Sequence, residues 1–191
     1  MSSQVSIAPR QGLNARQAET VEKLLAAGAA ELEAVGHEAL TIRTVAHRAG
    51  VSPATAYTYL ASKNHLFAEL FWRLLAEHRG TSPSGKTPAA RMRAVMRELA
   101  HLLAGSPALT AAVTPALLGS DADVERLRVR IGAEFLERFA SALGDDADPR
   151  LLEVFGLAFF GALLQVGTGF LSYDDLVARM DDAVDVIMEG H

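Results

Sequence analysis

Two groups of residues in this chain have types and spacings that suit chemistry. The first is Gly80-Thr81-Ser82-Pro83-Ser84-Gly85-Lys86-Thr87. It fits Gly-x-x-x-x-Gly-Lys-[Ser/Thr], the nucleotide-binding P-loop, in which backbone N–H groups cradle phosphates, the lysine reaches the β- and γ-phosphates and the hydroxyl joins a magnesium ion. The second is a run of hydroxyls and small residues, Ser52, Ala54, Thr55, Tyr57, Thr58 and Tyr59, with Thr41, Arg43 and Lys63 close by in sequence. Hydroxyls and lysines donate to DNA phosphates, small residues meet base edges, and arginine matches the O6/N7 pair of guanine. The histidines are scattered, and His65 with Glu69 one helical turn away is too small a set to hold a metal. The absence of cysteine excludes disulfides, cysteine-ligated zinc and thiol catalysis. No catalytic constellation, metal site or cofactor is expected apart from the P-loop match.

The P-loop needs a buried strand before the glycine loop and a helix after it. Upstream, Leu70-Phe71-Trp72-Arg73-Leu74-Leu75-Ala76-Glu77 is helical in pattern. No β-branched run offers a parallel sheet, and no apolar run ending in Asp offers a second metal ligand. Pro88 follows at once. The stretch therefore reads as a linker, and a P-loop nucleotide-binding enzyme over residues 80–87 is the alternative.

The hydroxyl-rich run sits on two short helices joined by a tight turn. Ile42, Val45, Ala46 and Ala49 recur at helical spacing and give the first helix one apolar face. Gly50 can take the left-handed conformation that ends a helix. Val51 plugs the turn. Ser52 caps the second helix, and Pro53 takes its first position, where a missing N–H costs nothing. Ala56 and Leu60 are its apolar positions, which leaves the hydroxyls outside. A helix so short and so polar suits the recognition helix of a helix-turn-helix.

Ala46-x-x-Ala49-Gly50-Val51-Ser52-x-x-Thr55-x-Tyr57-x-Tyr59-x-x-Ser62-Lys63 resembles the N-terminal signature of the tetracycline-repressor (TetR) family of bacterial transcriptional regulators. The signature covers the first third of the chain. Beyond it the likeness is one of length and helical character. Leu60 stands where the family usually has Phe, Ala56 where Leu is common, and His65 where Glu often closes a capping box. The resemblance implies a homodimer on a pseudo-palindromic operator, with recognition helices about 34–36 Å apart. It also implies that Arg43 contacts a base, that Ala54 and Thr55 touch bases or thymine methyls, and that Thr41, Ser52, Tyr57, Thr58, Tyr59 and Lys63 hold mainly phosphates.

The remaining chain is positioned around this head. The formal net charge is −5, but residues 1–80 carry +1 and residues 81–191 carry −6. An acidic body lowers non-specific DNA affinity without touching the few donors that contact phosphate. Residues 1–13 read as a flexible arm, in which Arg10 and nearby Arg16 reach a minor groove or stay solvated. A first long helix is expected over Asn14–Val35, with Val21, Leu24, Leu25, Gly28, Leu32 and Val35 on one face and Gly36 ending it. Residues 14–80 form the DNA-binding domain and residues 81–191 the effector-binding and dimerisation domain.

In the body a fifth helix carries Met92, Met96 and Leu99 on its apolar face, with His101 close to it and Arg91, Arg93 and Arg97 as a solvated basic edge. Pro107 and Pro115 break a sixth. Val154 to Leu171 contains no charge over eighteen residues, near the lower limit for a bilayer span. Its four glycines, Gln165, Thr168 and acidic C-terminal flank favour an interior and dimer-interface helix instead. The whole is an all-α protein of about nine helices, dimerising through residues 151–189. The expected function is that of a cytoplasmic repressor, not an enzyme or a membrane protein, released by a small, mostly apolar effector. Met92, Met96, His101, Phe159, Gln165 and Thr168 are the effector-binding candidates.

Overall fold

The computed structural model describes residues 14–78 and 83–189. Among the described residues the regular elements are nine α-helices and one short 3-10 turn, with no strand. In chain order they are α1 (Ala15–Ala39), α2 (Ile42–Arg48), α3 (Pro53–Tyr59), α4 (Lys63–Glu77), α5 (Pro88–Ala104), α6 (Pro107–Leu118), α7 (Ala122–Leu143), α8 (Pro149–Gly167) and α9 (Tyr173–Glu189). Two compact units divide them. One holds α1 to α4 together with Ala111–Arg128; the other holds His78–Thr110 and the chain from Val129 onward.

The first unit is built on α1. Asn14 and Gln17 form a reciprocal capping box at its start, at 3.0 and 2.9 Å. Val21, Leu24, Leu25, Gly28 and Leu32 face the core. The expected Val35 does not, being 45% exposed. Gly36, at φ 74° and ψ 169°, ends the long regular helix as expected, and a short helical segment follows it to Ala39. At Gly28 an added Cβ would lie 2.7 Å from Leu66 Cδ1, so this glycine lets α1 and α4 approach closely. On α4, Leu66, Phe67, Leu70, Phe71, Trp72 and Leu75 are buried, and Trp72 is a packing residue.

Pro115 does not break α6, which runs continuously from Pro107 to Leu118. Pro115 removes one helical bond, that to the carbonyl of Ala111, and the helix continues past it for three residues. Arg128 donates from Nε to Leu117 O at 2.6 Å and also to Gly119 O, satisfying carbonyls the helix end leaves open.

In the second unit α9 packs on α5 and α8. The expected solvated edge of α5 is engaged instead. Arg91 donates to the carbonyls of Ala142 at 2.6 Å and Leu143 at 3.2 Å, while Arg93 pairs with Asp185 and Arg97 with Asp181. Two acids one turn apart on α9 thus match two arginines one turn apart on α5. Phe135 and Phe139 of α7 meet Phe159 of α8 with ring centres 5.3 and 5.5 Å apart. Helix α8 is buried on one side only. Leu151, Phe155, Phe159 and Ala162 lie inside, whereas Val154, Leu157, Phe160 and Leu164 are exposed.

Candidate nucleic-acid interface

Local sequence sets each helix of the α2–α3 pair. Thr41 Oγ1 accepts the Thr44 N–H at 3.1 Å, and Thr44 Oγ1 accepts the Thr41 N–H at 3.2 Å. This box fixes the start of α2 and the residue beside it, Arg43. Ile42, Val45 and Ala46 turn inward. Gly50 sits at φ 69°, where a side chain would be strained, and the chain turns sharply into α3. Ser52 Oγ accepts the Thr55 N–H at 3.1 Å and lies 2.9 Å from Thr55 Oγ1. Pro53 occupies the first position of α3. Ala56 and Leu60 are buried, as their spacing requires.

The burial of those two residues forces the rest of α3 outward. Ser52, Ala54, Tyr57 and Thr58 are exposed, and Tyr57 keeps 50% of its surface. Thr55 and Tyr59 are half-buried. Thr58 donates to Ala54 O at 3.0 Å, which leaves its lone pairs free. Arg43 is exposed and makes no ion pair or hydrogen bond among the described residues. Lys63 is exposed at the start of α4, with Nζ 3.3 Å from His37 O. Thr41, Arg43, Ser52, Ala54, Thr55, Tyr57, Thr58, Tyr59 and Lys63 therefore all belong to one unit, on α2, α3 and the helix starts that flank them. Arg10, with the rest of residues 1–13, lies outside the described residues.

Three contacts around this surface are not disclosed by the local pattern. Arg48 Nε donates to Glu31 Oε2 at 2.7 Å, tying α2 to α1. The Arg48 guanidinium, and then the Thr44 hydroxyl, hold the Glu31 carboxyl below the ordinary value, against the opposing effect of burial. The signal for it was an acid on the apolar stripe, three residues after Gly28. His65, where a glutamate was missed, accepts the Ala61 N–H at Nδ1, 3.3 Å away. Ser62 Oγ accepts the His65 N–H at 3.0 Å and donates to Asp121 Oδ2 at 2.7 Å. Asp121 Oδ1 accepts the Asp123 N–H at the start of α7, so one carboxylate joins two helix starts. The Ser62 hydroxyl is the main cause of a lowered Asp121 carboxyl.

The effector candidates divide by exposure. Met92, Met96 and Phe159 are buried in the second unit. His101 is exposed rather than close to the apolar face, and Gln165 and Thr168 are exposed at the end of α8. Thr168 Oγ1 donates to carbonyls of its own helix. The P-loop match has helix α4, not a strand, on its N-terminal side, and residues 79–82 lie outside the described residues. Its threonine caps α5, with Thr87 Oγ1 accepting the Ala90 N–H at 3.2 Å. Among the described residues no three His, Cys, Asp or Glu side chains are grouped to hold a metal ion.

Residues 24–70 match the family model of bacterial regulatory proteins of the tetR family, and residues 85–187 match the tetracyclin repressor-like C-terminal domain. An HTH-type transcriptional regulator of Mycobacterium tuberculosis is 42% identical over 179 residues, spanning 93% of this chain and 84% of the relative. The HTH-type transcriptional repressor KstR of Rhodococcus jostii is 32% identical over 131 residues, 68% of this chain and 62% of the repressor. Among solved structures, the TetR-family repressor FadR of Thermus thermophilus, in complex with lauroyl-CoA, shares the fold. Its TM-score is 0.68 at 20% identity, over 88% of this chain and 93% of that one. With a helix-turn-helix at its head, a C-terminal model across more than half its length and a relative 42% identical across most of it, the chain belongs to the tetR family of bacterial transcriptional regulators.

Proposed function

We propose that the protein is a ligand-responsive transcriptional repressor that binds a pseudo-palindromic operator as a homodimer and leaves it when a small molecule binds the body. The observation that carries this reading is α3: two buried residues anchor it, while Ser52, Ala54, Tyr57 and Thr58 stay exposed beside an unpaired Arg43. Arg43 reads a base, Ala54 and Thr55 meet bases or thymine methyls, and Thr41, Ser52, Tyr57, Thr58, Tyr59 and Lys63 position the backbone. The KstR relative of Rhodococcus jostii is a repressor.

The dimer forms through residues 151–189. Val154, Leu157, Phe160 and Leu164 make an apolar stripe on α8 that this chain leaves uncovered, and Gly161 beside it has open space where a Cβ would stand. A second copy covers such a stripe by close helix packing. Helix α8 is also long and apolar enough to cross a membrane. Its inner side, however, packs phenylalanines against α7, which favours a cytoplasmic dimer.

The effector is small and mostly apolar. FadR of Thermus thermophilus holds lauroyl-CoA on the same fold. Buried Met92, Met96 and Phe159 supply an apolar interior, and His101, Gln165 and Thr168 supply polar groups. Residues 14–80 are the DNA-binding domain and 81–191 the effector and dimerisation domain. The test is selection of bound duplexes from random DNA, with wild type and Tyr57→Ala in parallel. Enrichment of a palindrome by wild type alone is expected. No enrichment at low salt from a folded dimer would remove the reading.

A further inference from the structure

Helix α3 has few anchors of its own. It has seven residues, of which Ala56 alone is buried, with Leu60 buried just past its end. A helix so short takes its stability and its direction from what holds it. Its aim therefore depends on its two ends. At the first, Gly50 and Ser52 set the turn. At the second, Leu60, Ala61 and Ser62 lead straight into α4.

A chain of hydrogen bonds ties that second end. The Leu60 N–H closes α3 on Ala56 O at 2.8 Å. The Ala61 N–H donates to His65 Nδ1 at 3.3 Å, and the His65 N–H donates to Ser62 Oγ at 3.0 Å. The Ser62 hydroxyl has one proton to give, and it goes to Asp121 Oδ2 at 2.7 Å. A carboxylate acceptor makes this last link the strong one. Asp121 is itself held. Its Oδ1 accepts the Asp123 N–H at 3.0 Å, and its carbonyl accepts the Val124 N–H at 3.1 Å. Val124 is fully buried, so the start of α7 is a fixed point. Asp121 comes well after residue 80 in the chain, yet Ala111–Arg128 fold in one unit with α1 to α4.

We infer that Asp121 is a positioning residue for DNA recognition: through Ser62 it fixes the corner between α3 and α4, and with it the direction in which α3 presents its exposed surface. The inference rests on the DNA-binding reading. The charge of Asp121 does not itself favour DNA, because a carboxylate repels phosphate. Its contribution is the bond to Ser62. Without that bond the corner samples other directions, and only the correctly aimed fraction binds a fitted duplex at full strength. Non-specific binding comes from phosphate charge and tolerates a misaimed helix. Asp121 therefore acts on discrimination between duplexes, from outside the helix-turn-helix.

The experiment is fluorescence anisotropy on the full chain, at fixed salt and pH, with the duplex that wild type selects and with an unrelated duplex of equal length. Asp121→Ala should weaken binding to the selected duplex by about fivefold or more, and to the unrelated duplex by less than about twofold. Ser62→Ala should do the same, and the double variant should lose no more than the worse of the two, because both remove one bond. Asp121→Asn removes the charge but keeps an oxygen for Ser62 and for the Asp123 N–H. It should hold the wild-type preference within about twofold. A merely destabilised protein has a smaller folded fraction, which lowers apparent affinity for both duplexes alike. An Asp121→Ala protein that loses the same factor on both duplexes, or keeps its preference, overturns the inference. So do additive losses in the double variant, and an Asp121→Asn protein as impaired as Asp121→Ala. Wild type that selects no duplex overturns the DNA-binding reading, and this inference with it.

Discussion

Ser62 links the start of α4 to the start of α7, and removing it has a cost that can be worked out. Its Oγ accepts the His65 N–H and donates to the Asp121 carboxylate at 2.7 Å. Ser62→Ala loses a helix cap, about 1 kcal/mol. It also loses a hydrogen bond to a charged group, roughly 1.5–3 kcal/mol, taken at the lower end because both residues are half-buried. The total is about 2.5 kcal/mol. Asp121→Ala loses the same bond and the cap on Asp123. In a double-mutant cycle the two caps cancel, leaving a coupling of about 1.5 kcal/mol for the Ser62–Asp121 bond alone. Trp72, the sole tryptophan, is buried on α4 in the same unit, so its fluorescence in urea reports the right unfolding event. The pH dependence has a definite sign. Asp121 titrates below the ordinary aspartate value of 3.8 when folded, chiefly because Ser62 bonds its ionised form. The coupling is therefore fully present above that value and is lost as pH falls through the lower, folded one. A coupling under about 0.5 kcal/mol at pH 7, or one that stays unchanged in acid, would refute the assignment.

Arg43→Ala should weaken operator binding by about 1–3 kcal/mol and relax one base position in a selected-duplex profile; equal loss on every sequence would make Arg43 a phosphate contact. Leu157→Glu, at a position 69% exposed in the single chain, should leave folding within about 0.5 kcal/mol and turn the sedimenting species into a monomer. An unchanged dimer would exclude the α8 stripe as its interface. Gly28→Val should destabilise the first unit by roughly 2–3 kcal/mol in Trp72-detected urea unfolding, because its branches meet a fully buried Leu66. If stability is unchanged, the α1–α4 contact is looser than its geometry. The dimer should show a log–log salt slope of about −4 to −7, from roughly two to four cationic contacts per head. A slope steeper than −10 would require cations beyond those on α2 to α4.

The helices of the head were legible because their signals are local. Thr41 with Thr44, Gly50, and Ser52 with Pro53 each act within four residues, and the structure uses every one of them. The apolar faces of α2 and α3 followed from spacing. What the sequence did not disclose lies between elements. Ser62 and Asp121 are 59 residues apart, and nothing in one sequence pairs them. Arg93 and Arg97 seemed a solvated edge because their acids, Asp185 and Asp181, come some ninety residues later. Pro115 read as a break because proline removes a helical bond, yet the loss of the one bond to Ala111 does not end α6. Val35 continued a spacing but not a surface, since the core it would have joined ends at Leu32. The charge-free run of α8 did state its composition correctly, yet composition does not say which side a single chain covers. The likeness of Ala46–Lys63 to a known family reached the exposed residues of α3; no comparable pattern marked the effector candidates, of which His101, Gln165 and Thr168 are exposed.

Electrostatics explains why a near-neutral head can suit DNA. Lys23 is paired with Glu19, Arg48 with Glu31 and Arg73 with Glu22, so three of its cations already have acids beside them. Of these only Lys23–Glu19 is exposed on both sides, and such a pair contributes little to stability. The effect of all three pairs is to lower the field that would attract any polyanion. What remains is a small set of unpaired or lightly held groups, Arg43 and Lys63 foremost, next to a helix whose outer surface is hydroxyl. Hydroxyls bind phosphate and base edges only at close range and in the right geometry. A surface of that kind gains little from an arbitrary duplex. It gains much from one whose backbone and base edges fall where Ser52, Thr55, Tyr57 and Thr58 point. The acidic body, at −6 over residues 81–191, reinforces the same bias. Pairing the cations on α1, α2 and α4 therefore shifts the balance of binding from charge toward fit, and fit is what separates an operator from the rest of a genome.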